Sequence, residues 1–583
     1  MNQNKLATDI IKTKKELPVG LKANRLIEKK LKALSRFEKT NGKSAETLLE
    51  RGKIYLEKES PLIALKYLKQ SLEIKKNLET IHKLAVCYGK LDLNHEASEL
   101  FEECLPDFKW SGAFWCLFAY YKKQVGDNNA AHSAAYTAIS KFDQNAPEVW
   151  RILHNAGLDI ERYHEGYELS KRYLNNNGNL DKTIVETFIG NCLHLRGNYP
   201  SEAIHFLETT KFNWKENAIL CGIAAHLYYS ARGDVETSLK LNKLANELEP
   251  KNINLIWNLS LTQLRAGDLE EGLKNYEVRF SWPDFPSPRR IFERPRWNPN
   301  IDSSSRIMLW WEQGVGDQLR FWSSVKQFKL EFPNLILETS PKTLDLIQSA
   351  YPEFVCRTGN FDPETLTSFN EDFDYHLPIG SVFNYEVAKQ ANRFRNPKFS
   401  LGWEYLQPDK LRTLFWKDKL NNMSAKPKIG FCYTSGNTDH GREKQYTELD
   451  QWKDLLLDER FSFVNLQYNL SYIEFVEKYP FLENTFLDTG HLDQKDDLEG
   501  TLSLISNLDL VISPASAPSM VSSCLGIPTI IYATGDIHWF GRNGKFEQHP
   551  IYKNTKVYHS HNPSEDKLLI EDLVNFVEKF LSE

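Results

Sequence analysis

The chain has 583 residues, of which 41% are hydrophobic and 26% charged, so it is too long for one hydrophobic core and has the composition of a globular protein with several domains. Its net charge of −6 gives no reason to expect a nucleic-acid partner, and no apolar run approaches the ~18 residues that span a bilayer. The eight cysteines include no CxxC pair, which favours reduced thiols in a cytoplasmic protein over a zinc site.

The first half of the chain predicts helices. Residues 1–43 are locally basic and lack the apolar core of a secretory signal, so they indicate a solvated amphipathic leader helix. Residues 44–280 carry a unit of 33 or 34 residues, whose recurring members are Tyr55 and Tyr88, Ala64 and Ala97, Leu68 and Phe101, and the Gly-Asp pairs at 233–234 and 267–268. This resembles the tetratricopeptide repeat (TPR), two antiparallel helices joined at a turn. Stacked repeats form an α-solenoid with a concave face, which predicts protein or peptide binding; a rigid spacer is the alternative.

The period of the pattern changes after the repeats. Residues 281–305 contain five prolines and predict an extended connector that packs along a surface. Short apolar strands then alternate with helical segments, which indicates α/β architecture. The strands are predicted at residues 307–311, 335–338 and 374–377 in a first half, and at 429–433, 461–466, 510–513 and 529–533 in a second. We therefore expect two Rossmann-like halves, residues 306–425 and 426–583, with ligands at the carboxyl ends of the strands.

The first predicted strand leads into the stretch EQGVGDQLRF, residues 312–321. A phosphate loop of the Walker type needs a lysine followed by Ser or Thr after its glycines, and Asp317-Gln318 stands there instead, which argues against a P-loop. Two alternatives remain for Asp317, since it either caps the following helix or acts as a general base at the end of the strand. Glu312 is a weaker base candidate whose alternative is a hydrogen bond within the loop. The other members of this acceptor-side loop are Gly314, Gly316 and Gln318.

The second half offers groups that suit a phosphate. Ser516 and Ser519 lie where a helix is predicted to begin, and the free N–H groups and positive dipole end of a helix favour an anion. Further candidates lie earlier in the chain. Gly436, Asn437, Arg442 and Lys444 follow the strand predicted at 429–433, and Gln467 follows the strand predicted at 461–466. Such donors suit the diphosphate of a nucleotide sugar, because they neutralise charge that grows as the sugar departs. A solvated loop is the alternative for Arg442 and Lys444, and a simple strand end is the alternative for Gln467.

With these blocks the chain resembles the bacterial TPR proteins that carry a C-terminal GT-B glycosyltransferase domain related to heptosyltransferases. The likeness runs from about residue 44 to the C-terminus, and its blocks are NYEVRF, EQGVGDQLRF, YTSGNTDHGREKQYT, FVNLQ, and DLEGTLSLISNLDLVIS followed by LGIP. The resemblance implies a GT-B fold and a nucleotide-sugar donor, and it gives Asp317 the role of the base that activates the acceptor. The family usually has an Asp-Thr pair and then a histidine where this chain has Ala515-Ser516 and Met520.

Two functions of different classes follow from these observations. The first is a glycosyltransferase that moves a sugar from a nucleotide-sugar donor to an acceptor hydroxyl of a protein or glycan, with the repeats recruiting the acceptor or a partner. The second is a non-catalytic interaction scaffold that binds a nucleotide sugar without turning it over, which the replacement of the acid and the imidazole would fit. We expect no metal cofactor, because no DxD motif stands near a strand end and Asp496-Asp497 indicates the start of a helix.

Overall fold

A computed structural model of the protein describes residues 21–176, 181–195, 197–287, 289–435, 446–468, 472–483, 485–490, 492–533, 544–560 and 568–582. The chain divides into two compact units between Trp214 and Lys215. This division falls inside the repeats, so the last repeats belong to the same compact unit as the α/β part of the chain.

The first unit is helical throughout its described residues. Its helices are α1 (Leu21–Asn41), α2 (Ala45–Glu57), α3 (Pro61–Ile74), α4 (Leu78–Lys90), α5 (Asn94–Phe108), α6 (Gly112–Gln124), α7 (Asn128–Phe142), α8 (Pro147–Asp159), α9 (Tyr163–Asn176), α10 (Lys182–His194) and α11 (Tyr199–Thr209). From α2 onward they follow one another as helical hairpins. The first hairpin begins at the N-cap Ser44, where the sequence predicts that the repeats start.

The residues that recur in the sequence hold the hairpins together. The small side chains of Ala64 and Ala97 are fully buried, as are Leu68 and Phe101, which fill the space between helices. A side chain at Gly52 would overlap Leu68, so the two helices of that hairpin approach as closely as a glycine allows. Each hairpin therefore buries its apolar face against its neighbours, as stacked repeats do.

The second unit opens with two more hairpins, formed by α12 (Ala218–Arg232), α13 (Val235–Leu248), α14 (Ile253–Arg265) and α15 (Leu269–Tyr276). At the turns before α13 and α15 a glycine with positive φ precedes an aspartate at the N-cap position. A 3-10 helix, Glu277–Ser281, follows α15. Trp257 of α14 stacks on Trp282 at 4.8 Å, and both pack on the same core as the first sheet, so these repeats share a core with the α/β part.

The first sheet is parallel, with strand order β3-β2-β1-β4. Its strands are β1 (Ile307–Trp310), β2 (Leu335–Thr339), β3 (Val355–Thr358) and β4 (Tyr375–Pro378). The helices of this half are α16 (Val315–Trp322), α17 (Val325–Phe328), α18 (Leu344–Ala350) and α19 (Ile379–Ala388). The chain moves outward from β1 and then returns to its other side at β4, so the loops after β1 and β4 meet where the strand order reverses. In open α/β sheets ligands bind at this point.

The second sheet has the order β10-β11-β9-β8-β5-β6-β7, and it is parallel except for the β10–β11 pair. Its strands are β5 (Lys428–Phe431), β6 (Ser462–Asn465), β7 (Phe486–Leu487), β8 (Leu510–Pro514), β9 (Thr529–Ala533), β10 (Glu547–Gln548) and β11 (Thr555–His559). Its helices are α20 (Lys410–Met423), which precedes the sheet, α21 (Lys453–Leu456), α22 (Tyr472–Lys478), α23 (Leu498–Ile505), α24 (Ala517–Leu525) and α25 (Leu569–Ser582). Without β10 the six parallel strands follow the Rossmann order, and the reversal lies between β5 and β8.

The predicted fold class is confirmed: helical repeats are followed by two separate Rossmann-like sheets. All seven predicted strands are present within two residues of their expected bounds, and the sequence did not predict β3, β7, β10 and β11. The connector packs along the first half as predicted, with Trp297 buried and Ile291 bonded to the main chain of Leu366. In the part of the chain that the structure describes, none of the helices has the length and apolarity needed to cross a membrane.

Candidate active site

The loop after β1 places Asp317 inside a helix. The N-cap position of helix α16 is occupied by Gly314, and Asp317 is the third residue of the helix. The alternative in which Asp317 caps this helix is therefore wrong, because glycine is itself tolerated at the N-cap and the helix begins two residues before Asp317. An acid in the first turn still gains from the positive end of the helix dipole.

The carboxylate of Asp317 is partly accessible and has a cation beside it. Its Oδ1 accepts a hydrogen bond from Arg320 Nη2 at 3.0 Å, and 34% of its side chain is exposed against 3% of that of Arg320. The Arg320 guanidinium also lies over the rings of Phe321 and Phe383. The arrangement leaves the Asp317 carboxylate, paired with a buried arginine, accessible at the edge of the loop.

Glu312 is fully buried and forms a two-pronged ion pair with Arg279. Arg279 Nε and Nη2 donate to the two carboxylate oxygens, both at 2.8 Å, and the Gly380 N–H donates to the same carboxylate at 2.8 Å. Both side chains of the pair are 0% exposed. Glu312 thus joins the loop after β1 to the start of helix α19 after β4, and its contacts support the hydrogen-bonding alternative over that of a base.

A second acid, the partly exposed Glu277, extends this network toward the surface. Glu277 accepts hydrogen bonds from Ser381 Oγ at 2.7 Å and Asn384 Nδ2 at 2.9 Å, and it pairs with Arg279 and Arg296. Burial alone would raise the pKa of Glu277, but the two guanidinium groups outweigh it and hold the pKa at about 2. Burial likewise opposes the charge on Arg279, yet Glu312 and Glu277 raise the pKa of that group above its ordinary value.

Two glutamines shape the turn between Glu312 and helix α16. Gln313 has a left-handed backbone with φ 64°, which is costly for a residue with a side chain and occurs where the surroundings impose it. Its N–H donates to Ser287 Oγ at 2.6 Å and its Nε2 to Tyr276 OH at 3.3 Å. Gln318 is buried and donates to the Gln313 carbonyl at 3.0 Å, while its Oε1 accepts from Ser340 and Thr343.

On the donor side, the predicted helix begins where Ser516 stands. Ser516 is the N-cap of α24 and its N–H donates to Ser519 Oγ at 3.0 Å. The Ser516 hydroxyl lies 2.9 Å from Ser513 Oγ. Pro518 has no N–H, and the Ser516 side chain accepts from the N–H of Ser519, so this end of α24 offers an anion chiefly the positive end of the helix dipole.

The two predicted sites come together at Gly316. A Cβ at Gly316 would lie 3.6 Å from Ala517 Cα and 3.7 Å from Met520 Cγ. Helices α16 and α24, one from each half, therefore start side by side. Met520, which stands where the related family has a histidine, contacts the residue next to Asp317 and presents a thioether instead of an imidazole.

Gln467 lies buried at the carboxyl end of β6. Its Oε1 accepts from the N–H groups of Tyr433 at 3.3 Å and Thr434 at 3.2 Å, and its Nε2 donates to the Thr434 carbonyl at 3.3 Å. It thus joins this strand end to the loop after β5. The remaining predicted donor-side residues, Gly436, Asn437, Arg442 and Lys444, lie outside the described residues.

The structure also places residues that sequence reasoning did not single out. Arg279 and Arg320 are the main ones, and the only sequence signal for them is their place within the NYEVRF and EQGVGDQLRF blocks. Asp497 is the N-cap of α23 as expected, and Asp496 pairs with Lys342 at 2.5 Å. Within the described ranges, no group of three or more His, Cys, Asp or Glu residues is arranged to hold a metal ion.

Comparison with known proteins gives distant relatives. No family model matches the chain. It is 24% identical over 547 residues to Protein FlbA of Caulobacter vibrioides, which covers 85% of this chain and 89% of FlbA. Among solved structures, ADP-heptose LPS heptosyltransferase II of E. coli is 12% identical and covers 48% of this chain and 98% of its own, with a TM-score of 0.31. A tetratricopeptide repeat protein from Parabacteroides merdae is 14% identical over 42% of this chain and 100% of its own, with a TM-score of 0.27.

Because these TM-scores are low, the class of the protein follows from the helices and strands of this chain alone. Helical hairpins that recur every 33 to 36 residues, followed by two Rossmann-like sheets, define a chain of TPR-like repeats with an α/β part whose elements follow the order of the GT-B fold.

Proposed function

We propose that the protein is a glycosyltransferase that moves a sugar from a nucleotide-sugar donor to an acceptor hydroxyl of a protein or glycan. The observation that carries the proposal is the meeting of helices α16 and α24 at Gly316 and Ala517. It brings a partly exposed acid, Asp317, close to a helix end that suits phosphate. A base for the acceptor and a site for the leaving group are the two functions that glycosyl transfer needs from the protein.

In this mechanism Asp317 takes the proton of the acceptor hydroxyl as its oxygen attacks the anomeric carbon. The bond between that carbon and the phosphate oxygen breaks, and the leaving phosphate gains negative charge. The start of α24 with Ser516 and Ser519, together with Arg442 and Lys444, would stabilise this charge. No metal is required in this scheme, because helix dipole and side-chain cations supply the positive charge.

The other predicted residues take supporting roles in the proposal. Gly314 leaves room for the acceptor beside the acid and Gly316 lets helix α16 approach α24, while Glu312 and Gln318 hold the loop. Gln467 holds the main chain of Tyr433 and Thr434 after β5, and Gly436 and Asn437 are proposed as donor-binding residues. The repeats would recruit the acceptor or a partner, and reduced, mostly buried cysteines are consistent with the cytoplasmic setting that we propose.

One observation favours the alternative function, a scaffold that binds without turnover. Met520 stands beside Gly316, the residue before Asp317, and it carries no titratable group where the family that the sequence resembles has a histidine. The test uses the purified full-length chain with a panel of nucleotide sugars, and it measures both released nucleotide and calorimetric binding. Transfer or hydrolysis that is lost in Asp317→Asn supports the enzyme. Binding of a nucleotide sugar with no turnover in the presence of a lysate of acceptors supports the scaffold.

A further inference from the structure

The turn that leads into helix α16 is held from the end of the repeats as well as from its own sheet. Tyr276 is the last residue of α15, and its hydroxyl accepts the hydrogen bond from Gln313 Nε2. Arg279 follows in the 3-10 helix and forms the buried pair with Glu312. Two adjacent residues of the turn, Glu312 and Gln313, are therefore both fixed by side chains at the end of the last helical hairpin and just after it.

We propose that Tyr276 and Arg279 are positioning residues for Asp317, because they fix the turn from which helix α16 starts against Ala517. This inference rests on the proposed function, in which Asp317 is the base. It goes beyond that function by making the end of the repeat array a working part of the transfer site.

The geometry of the turn explains why it needs outside support. Gln313 holds a left-handed backbone that an isolated loop would leave, since the strain is of the order of 1–3 kcal/mol for a residue with a side chain. The Arg279–Glu312 pair offers two parallel hydrogen bonds, which restrict the direction of the carboxylate as well as its distance. The turn is thus held in one arrangement before any ligand binds.

The position of the turn also decides where Asp317 stands. Gln318, the neighbour of Asp317, donates to the Gln313 carbonyl, so a shift of the turn moves the first turn of the helix with it. Because helices are stiff and Gly314 is the N-cap of α16, the carboxylate cannot keep its place if the turn moves. A misplacement of about 1 Å is enough to lower a rate by about 100-fold.

Three substitutions disturb the turn while leaving Asp317 intact. Tyr276→Phe removes one hydroxyl and keeps the ring that packs on Trp257. Gln313→Gly removes the amide that contacts Tyr276 and gives the turn a residue that also adopts other backbone conformations, so the turn is no longer held in one arrangement. Gly380→Ala adds a methyl group that would overlap the Glu312 carboxylate and push it from Arg279.

Matched controls exist elsewhere in the chain. Tyr558→Phe removes a buried hydroxyl that binds Asp572, and Gly89→Ala adds a methyl group whose nearest neighbour is Asn94 Oδ1 at 3.6 Å. The measurements on full-length protein are kcat, acceptor KM, the pH dependence of kcat and the melting temperature. A merely structural role would lower the melting temperature without changing kcat in the protein that remains folded.

We expect kcat to fall about tenfold in Tyr276→Phe and Gln313→Gly and up to about 100-fold in Gly380→Ala, with acceptor KM and the pH midpoint of kcat unchanged. The controls should retain the kcat of the unaltered protein. Unchanged kcat in folded Tyr276→Phe and Gln313→Gly, with Asp317→Asn inactive, would overturn the positioning role and leave the base in place. Full activity of Asp317→Asn would instead overturn the proposed function itself.

Discussion

Arg320 Nη2 lies 3.0 Å from Asp317 Oδ1, one turn along the same helix, with the arginine buried and the acid a third exposed. The pair holds the Asp317 carboxylate at the accessible edge of the loop after β1. Asp317 is not the N-cap of the helix, so helix capping does not explain why an acid stands at this position.

Replacing Asp317 by Asn tests this acid directly. Asn keeps the size of the side chain and can still accept a hydrogen bond from Arg320, but it cannot take a proton. We expect the transfer rate to fall about 10²- to 10⁴-fold, the usual range for loss of a general base. The measurement is turnover beside melting temperature. Asp345→Asn, an exposed acid in the first turn of α18, is the control for the helix dipole, and equal rates in the two variants would contradict the role of Asp317.

A second prediction concerns the phosphate. Arg442 and Lys444 belong to the proposed donor loop, and the double variant Arg442→Ala/Lys444→Ala should weaken binding of a nucleoside diphosphate by about 3 kcal/mol, on the scale of hydrogen bonds between charged groups. Calorimetry measures the affinity. Lys453→Ala/Lys478→Ala removes two exposed cations from helices of the same half and should leave it unchanged. The same affinity in both double variants would remove Arg442 and Lys444 from the site.

A third prediction concerns where the chain can be cut. A fragment that begins at Lys215 keeps Arg279 and the repeats that share the core of the first sheet. A fragment that begins at Arg306 leaves Glu312 buried without its partner, which costs about 3–5 kcal/mol before the lost apolar contacts are counted. We expect cooperative thermal unfolding of the longer fragment only. A shorter fragment that melts cooperatively at the same temperature would show that the last repeats are dispensable for the fold.

The sequence predicts those elements whose signal is local. β1 is a continuous apolar run, and the Gly-Asp turns mark the hairpins. β3 was not predicted because it is an edge strand without a buried apolar run. Its Val355 is 60% exposed, and its Arg357 pairs with Asp372. The pairing of Glu312 with Arg279 could not be predicted from the sequence for a different reason. The two residues are 33 positions apart, and only the folded chain shows that they meet.

The last prediction concerns acid stability of the first unit. Burial lowers the pKa of His82 to about 3 and that of His154 to about 4, and it lowers the pKa of His132 as well. In the part of the chain that the structure describes, neither ring nitrogen of His82 has a hydrogen-bond partner. Burial therefore disfavours protonation of these histidines in the folded repeats, and opening of the repeats removes that penalty.

The sign of the effect follows from proton uptake. Below about pH 6.5 the unfolded chain binds protons at these positions and the folded chain does not, so stability is present above that pH and is lost as the pH falls toward 4 and 3. At pH 5 one such histidine costs about 2 kcal/mol. His82→Leu removes the titrating group at a buried position, so its acid unfolding midpoint, followed by circular dichroism, should move to lower pH. His95→Leu makes the same change at an exposed position, and a midpoint that moves equally in both variants would show that burial of His82 is not the cause.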